Sequence, residues 1–330
     1  LTLLWHNHFA TSAQKVRVAA YMAAQNQKLR TLALGDFRTL AYTMLTDAAT
    51  LRWLDGQLNT ARAANENLAR EFMELFALGH GNGYTEDDVR AGARALTGWV
   101  IGADGQASLL PRRHDFTAKT LFGVTGNFDA AGFCDSVLAQ PDSAAYVAGR
   151  LWRQLASDEP PSPAALERIV AAYGPSRDLR ALTRAILTDA EFTGGRGTVV
   201  NTPVEWMVGV IRALQVPLDG PAESKLVDAT LKTLGQRPFF PPDVNGWPRG
   251  QVWLSTASAG VRLSAAIRLA RKADLSSIES AAPGDRLDAV GYLIGVGAWT
   301  DRTADALEPL LRQPPLLVAA AVNTPEYLTS

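Results

Sequence analysis

Residues 65–78 read Asn-Glu-Asn-Leu-Ala-Arg-Glu-Phe-Met-Glu-Leu-Phe-Ala-Leu and carry the clearest helical pattern of the chain. Four large apolar side chains recur at i, i+4, i+7 and i+8, which places them on one helix face: Leu68, Phe72, Leu75 and Phe76. Gly79 follows directly and is typical of a helix end. The spacing therefore predicts a helix over 65–78 with this apolar stripe buried.

Helical spacing continues along most of the chain. The next helix is predicted to begin at Thr85, because Asp88 follows three residues later as in a capping box. Strand signals are few, and residues 99–101 and 107–110 are typical of one small hairpin. The sequence predicts an all-α fold: a compact multi-helix single domain with long ordered loops and at most one small β-hairpin.

The domain organisation depends on one proline-rich segment, residues 157–163. This segment would separate a motif-bearing lobe, 1–156, from a second lobe, 164–330, but it is short enough for an ordinary helix connection. We therefore predict a single helical domain over 1–330. The first residues have no basic leader and no long apolar region, so they are not expected to be a signal peptide. Because position 1 is Leu and not Met and the first segment is already amphipathic, we expect that the N-terminal portion is missing.

The composition of the 330 residues limits the class of protein. Hydrophobic residues make up 47% and charged residues 20%, as in a globular chain. A formal net charge of -1 argues against a non-specific nucleic-acid binder. Uncharged stretches such as 313–325 are too short and proline-rich to span a bilayer, so no membrane span is expected. Cys134 is the only cysteine, which excludes an internal disulfide and a thiolate zinc cluster.

Two of the four histidines, His6 and His8, form a His-Asn-His group near the start of the chain. In a helix, residues i and i+2 point about 200° apart, so both could ligate one metal ion only in an extended or broken segment. Two interpretations stay open. The histidines are either polar groups satisfied at a helix end, or metal ligands or catalytic groups.

The helix over 65–78 carries more polar side chains than packing requires. Asn67, Glu71 and Glu74 fall within a sector of about 60° beside the apolar stripe. Paired carboxylates can hold a hard cation or share acid and base work when they face a cleft, although solvated helices also carry such pairs. We predict that Glu71 faces inward and bonds a polar partner from a distant segment. The expected partners are His6, His8, Arg113 and His114.

Two long loops carry the remaining polar candidates. The first, 111–129, contains Arg113, His114 and Asp115, and guanidinium groups suit phosphate, sulfate or carboxylate recognition. A solvated or structurally paired loop explains the same residues equally well.

The second loop, 236–250, holds four prolines, which reduce the entropy lost on ordering. We expect it to be ordered and to pack against the N-terminal half, with the indole N–H bonded to an acceptor. Its candidate residues could stack on and hydrogen-bond a sugar or planar ligand: Asp243, Asn245, Trp247 and Arg249. The alternative is a tryptophan that plugs the core beneath a proline-rich loop.

Several familiar catalytic and nucleotide-binding patterns are missing from the sequence. The glycine-rich residues 79–83 follow a helix and lack the G-x-G-x-x-G spacing, which excludes dinucleotide binding there. There is also no phosphate-binding loop, no H-E-x-x-H and no G-x-S-x-G pattern.

Several segments, taken in order, carry a family resemblance. They include Trp-His-Asn-His-Phe-Ala-Thr-Ser at 5–12, residues 65–71, 73–76, 81–89, 94–99, 113–115, 119–120 and 126–129, and Pro-Pro-Asp-Val-Asn-Gly-Trp-Pro at 241–248. Over essentially the whole chain this pattern resembles the bacterial domain of unknown function 1800 family. The resemblance brings no established reaction. It implies an exported or envelope-associated protein, often encoded beside a sulfatase-like exported protein of the 1501 family.

The sequence leaves two function hypotheses. The first is an enzyme or ligand-binding protein with a polar cleft, for which a divalent metal is the candidate cofactor. Its catalytic candidates are His6, His8, Glu71 and His114, and its ligand-binding candidates are Asn67, Glu74, Arg113, Asp115, Asp243, Asn245, Trp247 and Arg249. The second is a non-catalytic helical scaffold that binds an envelope partner protein or polysaccharide. In the second, the same residues form a buried network that fixes loops onto helices.

Overall fold

The computed structural model of the chain describes residues 1–194 and 199–329, and most of them are helical. The predicted mostly helical fold class is therefore confirmed. The chain divides into two units, each with an apolar core of its own. The first unit consists of Leu1–Gly194 and Phe239–Trp247. The described residues of the second unit are 199–238 and 248–329.

The first unit contains twelve described α-helices and two hairpins. The helices are α1 (Thr2–His8), α2 (Ala13–Val16), α3 (Ala19–Leu32), α4 (Phe37–Leu45), α5 (Ala48–Trp53), α6 (Asn67–Glu71), α7 (Glu86–Ala95), α8 (Ala130–Leu138), α9 (Pro141–Leu155), α10 (Pro163–Tyr173), α11 (Leu179–Thr188) and α12 (Ala190–Gly194). Short 3-10 helices lie at Gly56–Leu58 and Pro111–Arg113. The strands are β1 (Trp99–Ile101), β2 (Ala107–Leu109), β3 (Lys119–Leu121) and β4 (Val124–Gly126).

The helix expected over 65–78 begins as α6 and continues as a π-helix, Phe72–Ala77. Its end has the wide spacing of a π turn, because the backbone N–H of Leu78 donates to the carbonyl oxygen of Met73 at 3.0 Å.

The wider turn changes which side chains face the core. Leu68, Phe72 and Phe76 are buried, as expected, but the prediction for Leu75 is wrong, since it is only half-buried. Met73, which the predicted stripe did not include, is fully buried.

Helix α7 begins with the capping box expected from its sequence. The side chain of Thr85 accepts from the backbone N–H of Asp88, and the carboxylate of Asp88 accepts from the backbone N–H of Thr85 at 2.9 Å. Asp88 also accepts the backbone N–H of Phe122 at 2.6 Å. The cap of one helix therefore also holds the turn between β3 and β4.

The first unit has two antiparallel hairpins, so the expectation of at most one is wrong. Strands β1 and β2 form the expected hairpin, with Trp99 opposite Leu109. The second hairpin pairs β3 with β4 around a turn at Phe122 and Gly123. Its three-residue strands are too short for a periodic signal, and contacts with α7 stabilise them.

The helices and strands described in the second unit are all helices, apart from an isolated β-bridge between Val200 and Thr329. Its α-helices are α13 (Pro203–Ala213), α14 (Pro221–Thr233), α15 (Thr256–Ala270), α16 (Ser276–Glu279), α17 (Arg286–Ile294), α18 (Asp301–Leu307), α19 (Pro314–Ala321) and α20 (Pro325–Leu328). Short 3-10 helices lie at Gly250–Leu254, Pro283–Asp285 and Glu308–Leu310. The core includes Trp206, whose indole N–H donates to the carbonyl oxygen of Val322 at 2.8 Å.

The proline-rich residues 157–163 lie inside the first unit, where they connect α9 to α10. Whether the two units unfold as the single domain expected from the sequence stays a prediction. Across residues 1–194 and 199–329, no helix combines the length and the apolar character needed to cross a bilayer.

Candidate functional site

His8 lies at the end of α1 and contacts the π-helix. Its Nε2 lies 2.8 Å from the carbonyl oxygen of Phe76, so the ring carries its proton on Nε2 and donates it. Burial lowers the pKa of His8 to about 3, the positive charge of Arg150 acts in the same direction, and the bond to Phe76 opposes both. His8 is therefore a neutral donor that joins α1 to the π-helix.

Four consecutive carbonyl oxygens at the end of the π-helix each accept a hydrogen bond from a side chain. Tyr146 donates to Leu75 at 2.7 Å, His8 to Phe76, Ser143 to Ala77 at 2.8 Å, and Asn82 to Leu78 at 2.8 Å. The last carbonyl groups of a helix have no partner within the helix, so these bonds satisfy them. We call His8, Asn82, Ser143 and Tyr146 the carbonyl clamp.

His6 faces a different segment from His8. The backbone N–H of Phe239 donates to its Nε2 at 3.1 Å, so the neutral ring carries its proton on Nδ1. Its ring contacts those of Phe239 and Trp247, with centroids 5.1 Å and 5.4 Å away. Burial lowers the pKa of His6 to about 4. The two histidines of the His-Asn-His group therefore hold two separate segments.

Residues 239–247 pack against α1, as expected for this part of the long loop. The side-chain oxygen of Asn7 accepts the backbone N–H of Trp247 at 2.7 Å. Gly246 has a φ of 84°, and a Cβ atom there would collide with Asn7. Trp247 is buried, but the expected bond of its indole N–H is absent, because Nε1 has no hydrogen-bond partner among the described residues.

The other candidates of this loop are less buried than Trp247. Asp243 and Asn245 are exposed, and the backbone N–H of Asn245 donates to the Asp243 carboxylate at 2.7 Å. Arg249 is half-buried and belongs to the second unit. The loop therefore buries its tryptophan and exposes its carboxylate and amide.

Glu71 is half-buried, and the expected hydrogen bond to a distant segment is absent. Among the described residues its side chain has no hydrogen bond or ion pair, so the proposed pairing with the histidines or Arg113 is wrong. Burial raises the pKa of Glu71, the charges of Glu74 and Asp243 raise it further, and that of Arg70 opposes them. Glu71 therefore feels the charges of two carboxylates and of its neighbour Arg70, and it has no histidine partner among the described residues.

The other polar residues of this helix have local partners. Glu74 lies 3.6 Å from Arg70 and 3.2 Å from the exposed His80. The side chain of Asn67 donates to the carbonyl oxygen of Leu54 at 3.3 Å. These contacts tie the helix to its immediate surroundings.

The Arg113-His114-Asp115 segment is held by backbone groups and by Arg94. Nδ1 of the buried His114 lies 2.8 Å from the carbonyl oxygen of Thr97, and Arg113 donates to the carbonyl oxygen of Gln57 at 3.0 Å. Burial alone would raise the pKa of Asp115, but hydrogen bonds from Arg94 and Thr117 outweigh burial and lower it.

The structure does not bring the predicted catalytic residues together. His6, His8 and His114 each bond a different backbone group: those of Phe239, Phe76 and Thr97. In the parts of the chain that the structure describes, no group of three or more His, Cys, Asp or Glu side chains is close enough to hold a metal ion. The catalytic and ligand-binding roles assigned from the sequence stay predictions.

Sequence reasoning missed three members of the carbonyl clamp: Asn82, Ser143 and Tyr146. Ser143 and Tyr146 lie on α9, 66 and 71 residues from the carbonyl groups that they bond. The sequence carries no local signal for such bonds, because a π turn leaves no characteristic spacing.

A second buried polar network was also missed. Thr11 donates to the side-chain oxygen of Gln25 at 2.5 Å, and Gln25 donates to Asp47 at 2.9 Å and to Thr50 at 3.0 Å. Asp47 is also the N-cap of α5. The network therefore joins the start of α2 to α3 and α5.

These features define a class: a mostly helical protein whose signature polar residues fix loops and helix ends. The chain belongs to the family described as "Protein of unknown function (DUF1800)", whose model matches residues 1–329. No curated protein and no solved structure matched the chain.

Proposed function

We propose that this protein is a non-catalytic helical scaffold that binds an envelope polysaccharide. One observation carries the proposal: each buried histidine of the signature segments bonds a backbone group of another segment. A buried neutral imidazole in such a bond positions the chain and is not free to exchange protons with a substrate.

The carbonyl clamp supports the same proposal. Its side chains from three segments converge on the backbone of the π-helix, which fixes these segments to one another in the first unit. Rigid elements are what a binding surface needs, because less conformational freedom is then lost when a ligand binds. The family resemblance suggests an exported, sulfatase-like protein of the 1501 family as a partner of the same scaffold.

The test separates binding from turnover. Fluorescently labelled acidic and neutral polysaccharides are incubated with the purified chain, binding is measured by anisotropy, and polymer length by size-exclusion chromatography. We expect at least one of these polysaccharides to bind the protein, and we expect the polymer length to stay unchanged. Polymer shortening that disappears in His8→Gln, at unchanged thermal stability, would show that the scaffold proposal is wrong. Co-elution with the 1501-family protein, without polymer binding, would assign the scaffold to a protein partner.

A second candidate function rests on Glu71. Its raised pKa and its neighbours Glu74 and Asp243 are features of a carboxyl group that acts as a general acid. Glu71→Gln keeps the size of the side chain and removes the acid. If polymer shortening occurs and is lost in Glu71→Gln but not in Asn245→Gln, this second function is supported and the scaffold proposal fails.

A further inference from the structure

A cleft in the first unit lies between α2 and α5, away from the carbonyl clamp. Its volume is about 470 Å³, and it is lined by Gln14, Lys15, Arg17, Arg52 and Trp53. Small-molecule sites in proteins typically measure roughly 300–1,000 Å³, so the cleft has room for a sugar-sized ligand.

The cleft carries an excess of positive charge. The ammonium group of Lys15 pairs with Asp55 at 2.8 Å, and both side chains are partly exposed. Arg17 uses Nε to bond the carbonyl oxygen of Gln14 at 3.2 Å. The half-buried Arg52 has no hydrogen bond or ion pair with any described residue. Of these three basic side chains only Lys15 has an acidic partner among the described residues, although the whole chain is almost neutral.

Both helices that line this cleft, α2 and α5, are capped by side chains. Ser12 caps α2 by accepting the backbone N–H of Gln14 at 3.3 Å, and Asp47 caps α5 by accepting that of Ala49 at 2.9 Å. The buried network from Thr11, the residue before the Ser12 cap, through Gln25 to Asp47 connects the starts of the two helices. The basic side chains therefore project from a fixed frame, which favours binding because little order has to be gained.

Trp53 adds apolar surface to this charged cleft. It is half-buried, and the ammonium group of Lys15 lies 5.8 Å from its ring centroid. A sugar ring packs its C–H groups against aromatic surface and bonds amides through its hydroxyl groups, which Trp53 and Gln14 can provide.

We propose that the cleft between α2 and α5 binds the carboxylate group of an acidic polysaccharide, a polymer of uronic acid. Arg52 pairs with the carboxylate through two parallel N–H bonds, and Lys15 and Arg17 supply the remaining positive charge. This inference rests on the proposed scaffold function, since it names the ligand that the scaffold holds.

The test measures binding of oligogalacturonate to the 330-residue chain by calorimetry. We expect Arg52→Gln to weaken binding about tenfold, because it removes a charge-assisted pair. Arg17→Gly should weaken it several-fold and leave the backbone intact, since Arg17 has a φ of 57°, which glycine adopts readily. Arg30→Gln is the matched control: Arg30 is exposed on α3 outside the cleft, and its loss changes the net charge equally.

Binding of other ligands shows whether the cleft prefers a uronate polymer. Neutral dextran should not bind, and inorganic phosphate and sulfate should compete only weakly. If phosphate binds as tightly as oligogalacturonate, the cleft is a general oxyanion site and the uronate proposal is wrong. If Arg52→Gln and Arg30→Gln bind alike, the cleft is not the site, although polymer binding elsewhere would leave the scaffold function standing. If no polysaccharide binds to the chain, both proposals fail.

Discussion

The two units differ in whether they bury side chains that bind a proton in mild acid once the chain unfolds. In the first unit His6, His8 and His114 are buried and hold loops and helix ends, and all four histidines of the chain lie in this unit. Among the described residues of the second unit, the buried polar side chains are Thr202, Thr230, Gln236, Arg262, Thr303 and Thr324. None of these is expected to change charge between about pH 4 and 8. The comparison implies that acid weakens this protein through its first unit.

The largest expected effect comes from the core of the first unit. Phe72→Ala removes a fully buried ring and should lower the free energy of unfolding by about 3–5 kcal/mol. Hydrogen exchange followed by mass spectrometry measures the protection of backbone amides in peptides from both units. In a single cooperative domain, the substitution would lower this protection equally in both units. A loss confined to the first unit would contradict the single-domain prediction and separate the two units energetically.

Acidification should have the second largest effect on the free energy of unfolding. The pKa values of His6 and His8 are lowered to about 4 and 3 by burial, so the unfolded chain binds protons that the folded chain does not. Above about pH 6.5 both histidines are neutral in the folded and the unfolded chain, and the free energy of unfolding keeps its full value. As the pH falls towards 4, that free energy decreases by roughly 1.4 kcal/mol per pH unit for each histidine. Urea unfolding at pH 7, 6 and 5 measures this slope. The double variant His6→Gln/His8→Gln should have a flatter slope, and an unchanged slope would mean that other groups control acid sensitivity.

Removing one clamp donor should have a moderate effect. His8→Ala leaves the carbonyl oxygen of Phe76 buried without this donor and should cost about 1–3 kcal/mol. His8→Gln should cost less, because its amide can donate in place of Nε2. His80→Ala is the control, since its side chain is 81% exposed and its loss should stay within about 0.5 kcal/mol. Equal melting temperatures for His8→Ala and His80→Ala would mean that the clamp does not stabilise the unit.

The smallest expected effects are those of helix caps, and they should be alike in both units. Thr85 begins α7 in the first unit, and Thr202, whose hydroxyl bonds Glu205 at 2.7 Å, begins α13 in the second. Thr85→Ala and Thr202→Ala should each cost about 1 kcal/mol, because a cap acts within one helical turn. A much larger loss in Thr85→Ala would show that its capping box also supports the β3–β4 hairpin through Asp88.

The helical class, the capping box at Thr85 and the first hairpin were predictable, because each depends on neighbours within a few residues. The burial of Phe72 followed from the same local spacing. The prediction for Leu75 failed at the π turn, where one extra residue per turn changes the register and leaves no mark in the sequence.

Local spacing also placed polar residues in the correct segments, but it could not assign their partners. His8 bonds a residue 68 positions away, and His6 bonds one 233 positions away. Glu71, expected beside a histidine, lies near Glu74 and Asp243 instead. Composition and short-range periodicity therefore established a mostly helical protein and the polarity of its signature segments. The role of each buried histidine was decided by packing, since only the folded chain brings a donor and an acceptor on different segments into hydrogen-bond distance and removes both from water.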